Sequence, residues 1–507
     1  MAIPSMIQNR LALTAVCLAA LMSGLEISSV PVILPVLEKQ IGANFTQLQW
    51  VMNAYTLACT TVLMATGTLA DRFGRRRLFI ISIIAFGLTS LLCGISTTAP
   101  MMIVGRFLQG ISGGAMLICL IAILSSQFAP GKARNRAFTA WGVVFGFGLG
   151  FGPLIGGVIV TLASWQWVFL VHVFIAIITL ILAAKNVVES RDPQAHALDI
   201  GGMVTLSLTV LAITFYITQG GEIGYVSTLA LGILSFAAVC ATLFIFIERR
   251  HAHPMFDFSV FRNRPFLGAL LGSAGMNFSF WPLMIYLPLY YQSAVGTDII
   301  ASGLSLLAYT LPTLLMPPLA ARWVNKFGAA KIIPLGLLGI GGGFLLMRYG
   351  INHSVGILPG ALMAGIALGL TNTPVTHTTT GSLPASRAGM ASGMDMSARL
   401  ITLAINIALM GTILVTGIRN RLMAHFPSVP DAHYWQSIAE GIAAGKNLPP
   451  EIATLAHSTT LAAEALNAGF SDVMLYGALG VGLLALASHW VFNDQQKEPS
   501  CAISTER

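Results

Sequence analysis

Apolar stretches of about twenty residues recur along the whole chain, with short polar turns between them. A bilayer's hydrocarbon core is ~30 Å thick and takes about twenty apolar residues of helix to cross. Fourteen stretches meet that requirement: 11–36, 47–70, 77–97, 100–124, 137–162, 165–184, 198–218, 227–247, 265–291, 300–322, 330–348, 354–376, 388–418 and 471–492. The pattern predicts an all-α polytopic membrane protein with 14 transmembrane helices. The 388–418 stretch is longer than a perpendicular crossing needs.

Composition excludes the alternative. Hydrophobic residues make up 55% of the 507 and charged residues 9%, with a mean hydropathy of +0.79. A soluble domain carries ~25% charged residues, so this chain has too little polar surface to coat one. Nor does the net charge of +8 indicate nucleic acid, because the basic residues sit in turns between apolar stretches. Twenty of them lie in one set of alternate loops and termini; five, Lys39, Arg348, Arg419, Arg421 and Lys446, lie in the other. The positive-inside rule then places both termini in the cytoplasm. With one basic residue, Arg10, before it and no small-residue cleavage site after it, the first stretch reads as a span and not a leader. Loop 419–470 faces outward, is broken by Pro427, Pro430, Pro449 and Pro450, and reads as a partly helical cap over the outer mouth. Five of the six cysteines lie inside apolar stretches without CxxC spacing, which indicates neither a disulfide framework nor a metal site.

The chain also repeats itself. The turn Asp71-Arg72-Phe73-Gly74 reappears as Asn325-Lys326-Phe327-Gly328 at an offset of 254, and Gly105, Gly110 and Gly114 match Gly360, Gly365 and Gly369 at 255. This divides the chain into a six-helix bundle (1–197), two inserted helices (198–247), a cytoplasmic linker (248–264) and a second six-helix bundle (265–507). Two parallel halves with a site between them describe a secondary transporter that rocks around a midplane cavity. Arg106 corresponds to Ala361 and Asp71 to Asn325, so charge is kept in the first half. That half is expected to carry the ion chemistry, and the second to supply more of the substrate wall.

Ionisable side chains at bilayer depth are costly and should face a cavity or a partner. Glu26 and Arg106 fall at similar depth in spans 1 and 4, which suggests an ion pair that a proton can break, with Gln109 one turn from the arginine to hold it. Asp395 and Arg399 share a face of span 13, where they either neutralise each other or leave Asp395 for a proton or a substrate. Glycine stripes at 142/146/150 and 148/152/156, with Pro153 among them, make span 5 a candidate hinge or sealing surface against the second half. In the 71–77 turn, Asp71 can accept from donors at the start of span 3 while Arg72 and Arg75 meet head groups or helix ends. Span 9 carries Asn277, Phe278, Phe280, Trp281, Tyr286, Tyr290 and Tyr291, and aromatic faces suit flat organic cations. Trp165 and Trp167 read as interfacial anchors, and His172 and His377 as packing residues more than titrating ones. There is no GxxxxGK[ST] loop for nucleotide and no filter motif for a channel, so the chain reads as neither an enzyme nor an ATP-driven pump.

Several of these segments resemble motifs of the major facilitator superfamily, in particular its fourteen-span drug:proton antiporter branch, the EmrB and QacA type. Gly67-Thr68-Leu69-Ala70-Asp71-Arg72-Phe73-Gly74-Arg75-Arg76 is similar to the superfamily's loop motif, and Arg106-Phe107-Leu108-Gln109-Gly110 to its fourth-span motif. Gly148 to Gly157, with Gly152, Pro153 and Gly156, resembles the exporter motif ending GPxxGG. Leu25 to Pro35 resembles the branch's first-span motif, with Glu26 where the family has Asp and Pro31 where it has Asn. Ala388 to Asp395 is similar to the acidic thirteenth-span segment of some members.

The resemblance implies a proton-coupled antiporter of the bacterial cytoplasmic membrane that exports amphipathic, cationic organic compounds by alternating access. Glu26, Arg106, Gln109 and Asp395 would couple protons, and Glu26, Asp395, Asn277, Phe278, Trp281 and Tyr286 would meet substrate. Asp71, Arg72, Gly74, Arg75, Gly148, Gly152, Pro153 and Gly156 would gate. Its partners would be substrate, protons and lipid, without cofactor or nucleic acid, and it would act as a monomer. Export of one endogenous product, such as a siderophore or antibiotic, and a ligand-binding receptor without transport are the alternatives.

Overall fold

A computed structural model of the chain describes residues 6–129, 132–191, 199–250, 258–351, 353, 355–383, 388–426, 432–446, 448–449, 452 and 460–493. Every regular element among them is helical: α1 (Met6–Ile41), α2 (Phe45–Phe73), α3 (Arg75–Gly94), α4 (Ala99–Gln127), α5 (Lys132–Leu162), α6 (Gln166–Asn186), α7 (Ile200–Ile223), α8 (Thr228–Arg250), α9 (Arg264–Asn277), α10 (Phe280–Leu289), α11 (Ile299–Leu315), α12 (Pro317–Phe327), α13 (Ala329–Ile351), α14 (Leu358–Gly381), α15 (Ala388–His425), α16 (Ala432–Ala444) and α17 (Leu461–Asn493). Eleven of these described helices are long and apolar enough to cross a bilayer, or twelve if the bent α11–α12 pair is one span. The protein is thus multi-pass. Outside that set stand the α9–α10 pair and α2, whose buried stripe of Gln49, Asn53, Thr56 and Thr60 turns a polar face into the molecule.

Proline explains where the helices depart from the apolar pattern. Span 9 is broken after Asn277: Pro282 has no N–H for the Phe278 carbonyl, so the helix restarts at Phe280 with proline in its first turn. Pro288 removes a second donor, and the helix widens into a π turn at Tyr290–Ala294. Pro317 and Pro318 restart span 10 as α12, bent 49° from α11. By contrast, α1 runs unbroken past Pro31 and Pro35. The expected cap contains α16, while α15 and α17 extend into the 419–470 loop from either side. Trp165, expected at the membrane interface, is buried against Phe169, whereas Trp167 is exposed.

Helix pairing follows a repeating order. α1 packs on α4, α5 and α6, α2 on α4, and α3 on α4 and α6; later in the chain α9 packs on α14, α15 and α17, α11 on α14, and α13 on α14 and α17. The two sets meet at α5–α11, α2–α15 and α1–α10, and the α7–α8 hairpin lies against α2 and α15. Buried apolar side chains run unbroken between the sets at the α16 end, from Leu34, Leu37 and Val51 through Tyr286, Tyr290 and Leu414 to Trp435. At the end carrying the α1 N-terminus they do not: one cluster around Ala15, Phe79 and Leu120 is separate from another around Val260, Phe266 and Met394.

Candidate functional site

Arg106 enters the first-half bundle from the first third of α4 and is completely buried, so its charge and five donors must be met by protein. Its Nη1 donates to Glu26 Oε1 on α1 and, at 2.7 Å, to Gln109 Oε1; its Nε donates to the Val51 carbonyl of α2 at 3.1 Å. The guanidinium carbon lies 4.4 Å from the centre of the Tyr55 ring. Gln109, three residues along α4, donates its Nε2 to Ser90 Oγ on α3 at 2.9 Å. Glu26, also fully buried, has its second oxygen 3.5 Å from His172 Nδ1 on α6, and the His172 ring meets Phe86 edge-on. Glu26, Arg106 and Gln109 are therefore brought together, as their positions in sequence suggested.

Two features of this cluster went unread. His172 reads as a packing residue in sequence, yet it stands beside the acid. Tyr55 and Ser90 carried no motif; the signal that required them was arithmetic, since a buried arginine needs more partners than one carboxylate and one amide. Glu26 Oε2, which faces His172 Nδ1, and Arg106 Nη2 make no hydrogen bond among the described residues. Unsatisfied polar atoms around a buried charge pair are costly.

Asp395 sits in a different network. It accepts from Ser273 Oγ of α9 and, at 3.1 Å, from Arg399 Nε, while Arg399 reaches on to Asn372 Oδ1 (2.9 Å) and Thr376 Oγ1 (3.0 Å) of α14. Asp395 and Arg399 thus form an ion pair one turn apart on α15. Asn277 donates to the Ser273 carbonyl one turn back, Phe278 stacks on Tyr476 of α17, and Trp281 meets Phe280. Tyr286 is a tie between bundles, donating to the Ile407 carbonyl of α15 at 2.6 Å and accepting from Gln49 of α2 at 3.2 Å. The span 9 side chains thus meet several different neighbours within one buried cluster.

The glycines of α5 divide by face. A Cβ at Gly148, Gly152 or Gly156 would meet Gly24, Ser28 or Ser29, so that stripe seats α5 on α1 in the same half. Contact with α11 comes from the other face, where Thr310 donates to the Gly150 carbonyl at 2.7 Å and Gly303 abuts the Pro153 carbonyl. In the 71–77 turn, Gly74 adopts φ +115°, and Glu189 from the segment after α6 accepts from the N–H groups of Arg76 (3.1 Å) and Arg77 (3.2 Å). Glu189 is thus an acid seated on the α3 N-terminus. The side chain of Asp71 lies outside the described residues, Arg72 rests over Phe73, and Arg75 N–H donates to the Ser190 carbonyl at 3.0 Å. The matching Gly328 (φ +81°) has open space around it.

Known proteins share both the sequence and the fold. Residues 16–406 match the family model of the Major Facilitator Superfamily. Multidrug resistance protein Stp of Mycobacterium tuberculosis is 29% identical over 432 residues, covering 85% of this chain and 80% of the relative. Quinolone resistance protein NorB of Staphylococcus aureus is 28% identical over 410 residues, covering 80% and 88%. Among solved structures, a bacterial homolog of the human lysosomal transporter Spinster, inward-facing and occupied, matches 97% of this chain and 98% of its own at a TM-score of 0.64 and 15% identity. A D-xylose-proton symporter matches 86% and 96% at 0.59 and 16%. At such identity these two speak to fold alone.

Proposed function

The chain belongs to the Major Facilitator Superfamily, a family of transporters and not of enzymes, and from that premise we propose that it exports amphipathic organic compounds, drugs among them, in exchange for protons. The multidrug and quinolone resistance proteins it resembles support the substrate class. Support for the coupling ion comes from one observation, the buried Glu26–Arg106 pair with an unpartnered oxygen beside His172. Protonating Glu26 cancels the attraction that ties α1 to α4, leaving Arg106 on the Val51 carbonyl, Gln109 and the Tyr55 ring. The far half of α1 packs on α10, and its Val32 carbonyl accepts from Gln292 at 3.0 Å, so the hold on Glu26 bears on the contact between halves. Drug and proton then compete for one acid: a positively charged group of the drug takes the place of Arg106 at the ionised Glu26, and a proton on Glu26 removes that attraction.

In this reading α2 and the α9–α10 pair complete fourteen spans, and the chain divides into lobes 1–197 and 265–507, an insert 198–247 and a linker 248–264. Both termini lie on the cytoplasmic side of the bacterial inner membrane, and α16 caps the outer mouth. The split apolar core at the α1 N-terminal end corresponds to a cavity open to the cytoplasm. The test is dye efflux from cells or everted vesicles at imposed pH gradients, comparing wild type with Glu26→Gln. A pH-driven signal undiminished by that substitution removes Glu26 from the coupling, and indifference to every drug in a panel favours a dedicated export substrate instead.

A further inference from the structure

Between α1 and the first half of α5 lies an open cleft of about 410 Å3 that the ion-pair network does not use. Its walls are Thr14, Cys17 and Leu18 on one helix and Ala140 and Val144 on the other, with Arg10 at the rim. The two helices touch backbone to backbone at Gly24 and Gly148, and the cleft lies from there toward the α1 N-terminus. The cavity begins about two turns along α1 from Glu26. Its size falls within the ~300–1,000 Å3 of pockets that hold drug-sized molecules.

Charge selects the occupant. Among the lining residues Arg10 alone is charged, it is exposed, and it makes no ion pair among the described residues. The Thr14 hydroxyl is spent on the Arg10 carbonyl at 3.0 Å, and the remaining wall is apolar apart from the Cys17 thiol. A guanidinium fork at the rim of an apolar slot matches a carboxylate on a hydrophobic body and repels a cation. We infer that this cleft is the site at which substrate is loaded, and that it takes an amphipathic organic acid or zwitterion, carboxylate on Arg10 and apolar body against Leu18, Ala140 and Val144. The inference rests on the export reading above and narrows its substrate class. A zwitterion satisfies both ends of the path, its acid at Arg10 first and its amine near Glu26 later. An anionic lipid, head group on the arginine and tail in the slot, offers the same chemistry from another source.

Cys17 makes the site readable, being partly exposed while Cys59, Cys93, Cys119 and Cys240 are buried. The full chain, with Cys501→Ser to silence the tail, is placed in phosphatidylcholine nanodiscs, and maleimide labelling of Cys17 is timed with norfloxacin, with its decarboxylated analogue and with ethidium. Norfloxacin is expected to slow labelling in a saturable way, and the other two to leave it unchanged. Arg10→Gln is expected to weaken the protection by about tenfold or more, the cost of a charge-assisted pair, and Arg10→Lys by less. Ala140→Phe, which fills the slot, should slow labelling by itself and abolish the norfloxacin effect. Protection that survives Arg10→Gln, equal protection by ethidium, or no protection in the wild type overturns the inference. So does full protection by phosphatidylglycerol in the disc without any drug, which would make the cleft a lipid site. Norfloxacin and ethidium efflux in vesicles is measured in parallel: absent pH-driven efflux defeats the export reading whatever Cys17 reports, while intact efflux with an unprotected Cys17 defeats the cleft alone.

Discussion

Glu26→Gln is the substitution on which most depends, because it removes a charge and little else. The amide keeps an oxygen for Arg106 Nη1 and nearly the same volume, so packing around α1 is preserved. What changes is that a guanidinium with no solvent exposure is left with neutral partners: the Val51 carbonyl, Gln109 Oε1 and the Tyr55 ring. Two unit charges about 4 Å apart attract by ~4 kcal/mol at an effective dielectric of ~20. Breaking buried pairs by deleting one partner costs a similar ~3–5 kcal/mol. With an unfolding entropy of ~2.1 cal/mol/K per residue over a chain of 507 residues, that loss lowers the melting temperature by ~3–5 °C if the chain melts as one unit. The buried thiols of Cys59, Cys93, Cys119 and Cys240 supply the assay, since a thiol-reactive dye reports their exposure as the detergent-purified protein is heated. The double variant Glu26→Gln/Arg106→Met removes both charges and should recover most of the lost stability while still failing to couple to a pH gradient. If Glu26→Gln melts with the wild type, or if the double variant melts no higher than the single one, the pair is not what holds α1 to α4.

Three further outcomes follow from single contacts. Gly152→Ala places a Cβ against Ser28 Oγ and 3.0 Å from Ser28 Cβ, an overpacking of ~1–3 kcal/mol that Ser28→Gly should relieve; equal melting of Gly152→Ala with and without that second change would show that α5 yields elsewhere. Gly74→Ala meets both a positive φ and the Glu189 carboxylate at 2.6 Å, whereas Gly328→Ala meets a positive φ in open space. Both should cost ~1–3 kcal/mol of backbone strain, and Gly74→Ala should cost more, with the excess vanishing in a Glu189→Ala background. His172→Phe keeps the edge-on packing against Phe86 and deletes the ring nitrogens beside Glu26, so efflux should persist with a displaced pH profile; an unmoved profile assigns His172 to packing.

Sequence reveals much of this molecule where one side chain answers to one rule. The all-helical, many-span character followed from apolar run length, and the meeting of Glu26, Arg106 and Gln109 from the cost of polarity at depth. Span 9 was read as one helix because its apolarity is continuous, although Pro282 and Pro288 already forbade two of its backbone hydrogen bonds. Beyond the Glu26–Arg106 pair, contacts between distant segments were out of reach. Nothing local to Glu189 says that its carboxylate will settle on the α3 N-terminus, and nothing in the spacing of Gly148, Gly152 and Gly156 says which neighbouring helix they serve. His172 illustrates the same limit: a lone histidine in an apolar stretch acquires meaning from Glu26, 146 positions away in the sequence.

The apolar core that is continuous beneath α16 and divided at the opposite end sets a direction of strain for the empty protein. Opening the capped side means wetting Tyr286, Leu414 and Trp435 and breaking the Lys446–Glu38 contact at 3.5 Å, while the clusters at the far end, closing on each other, have few large side chains to offer in return. In the exporter proposed above, an unloaded carrier would thus rest open at the α1 N-terminal end, and each cargo molecule would lend binding energy to the return stroke, so that an idle machine would not leak its coupling ion.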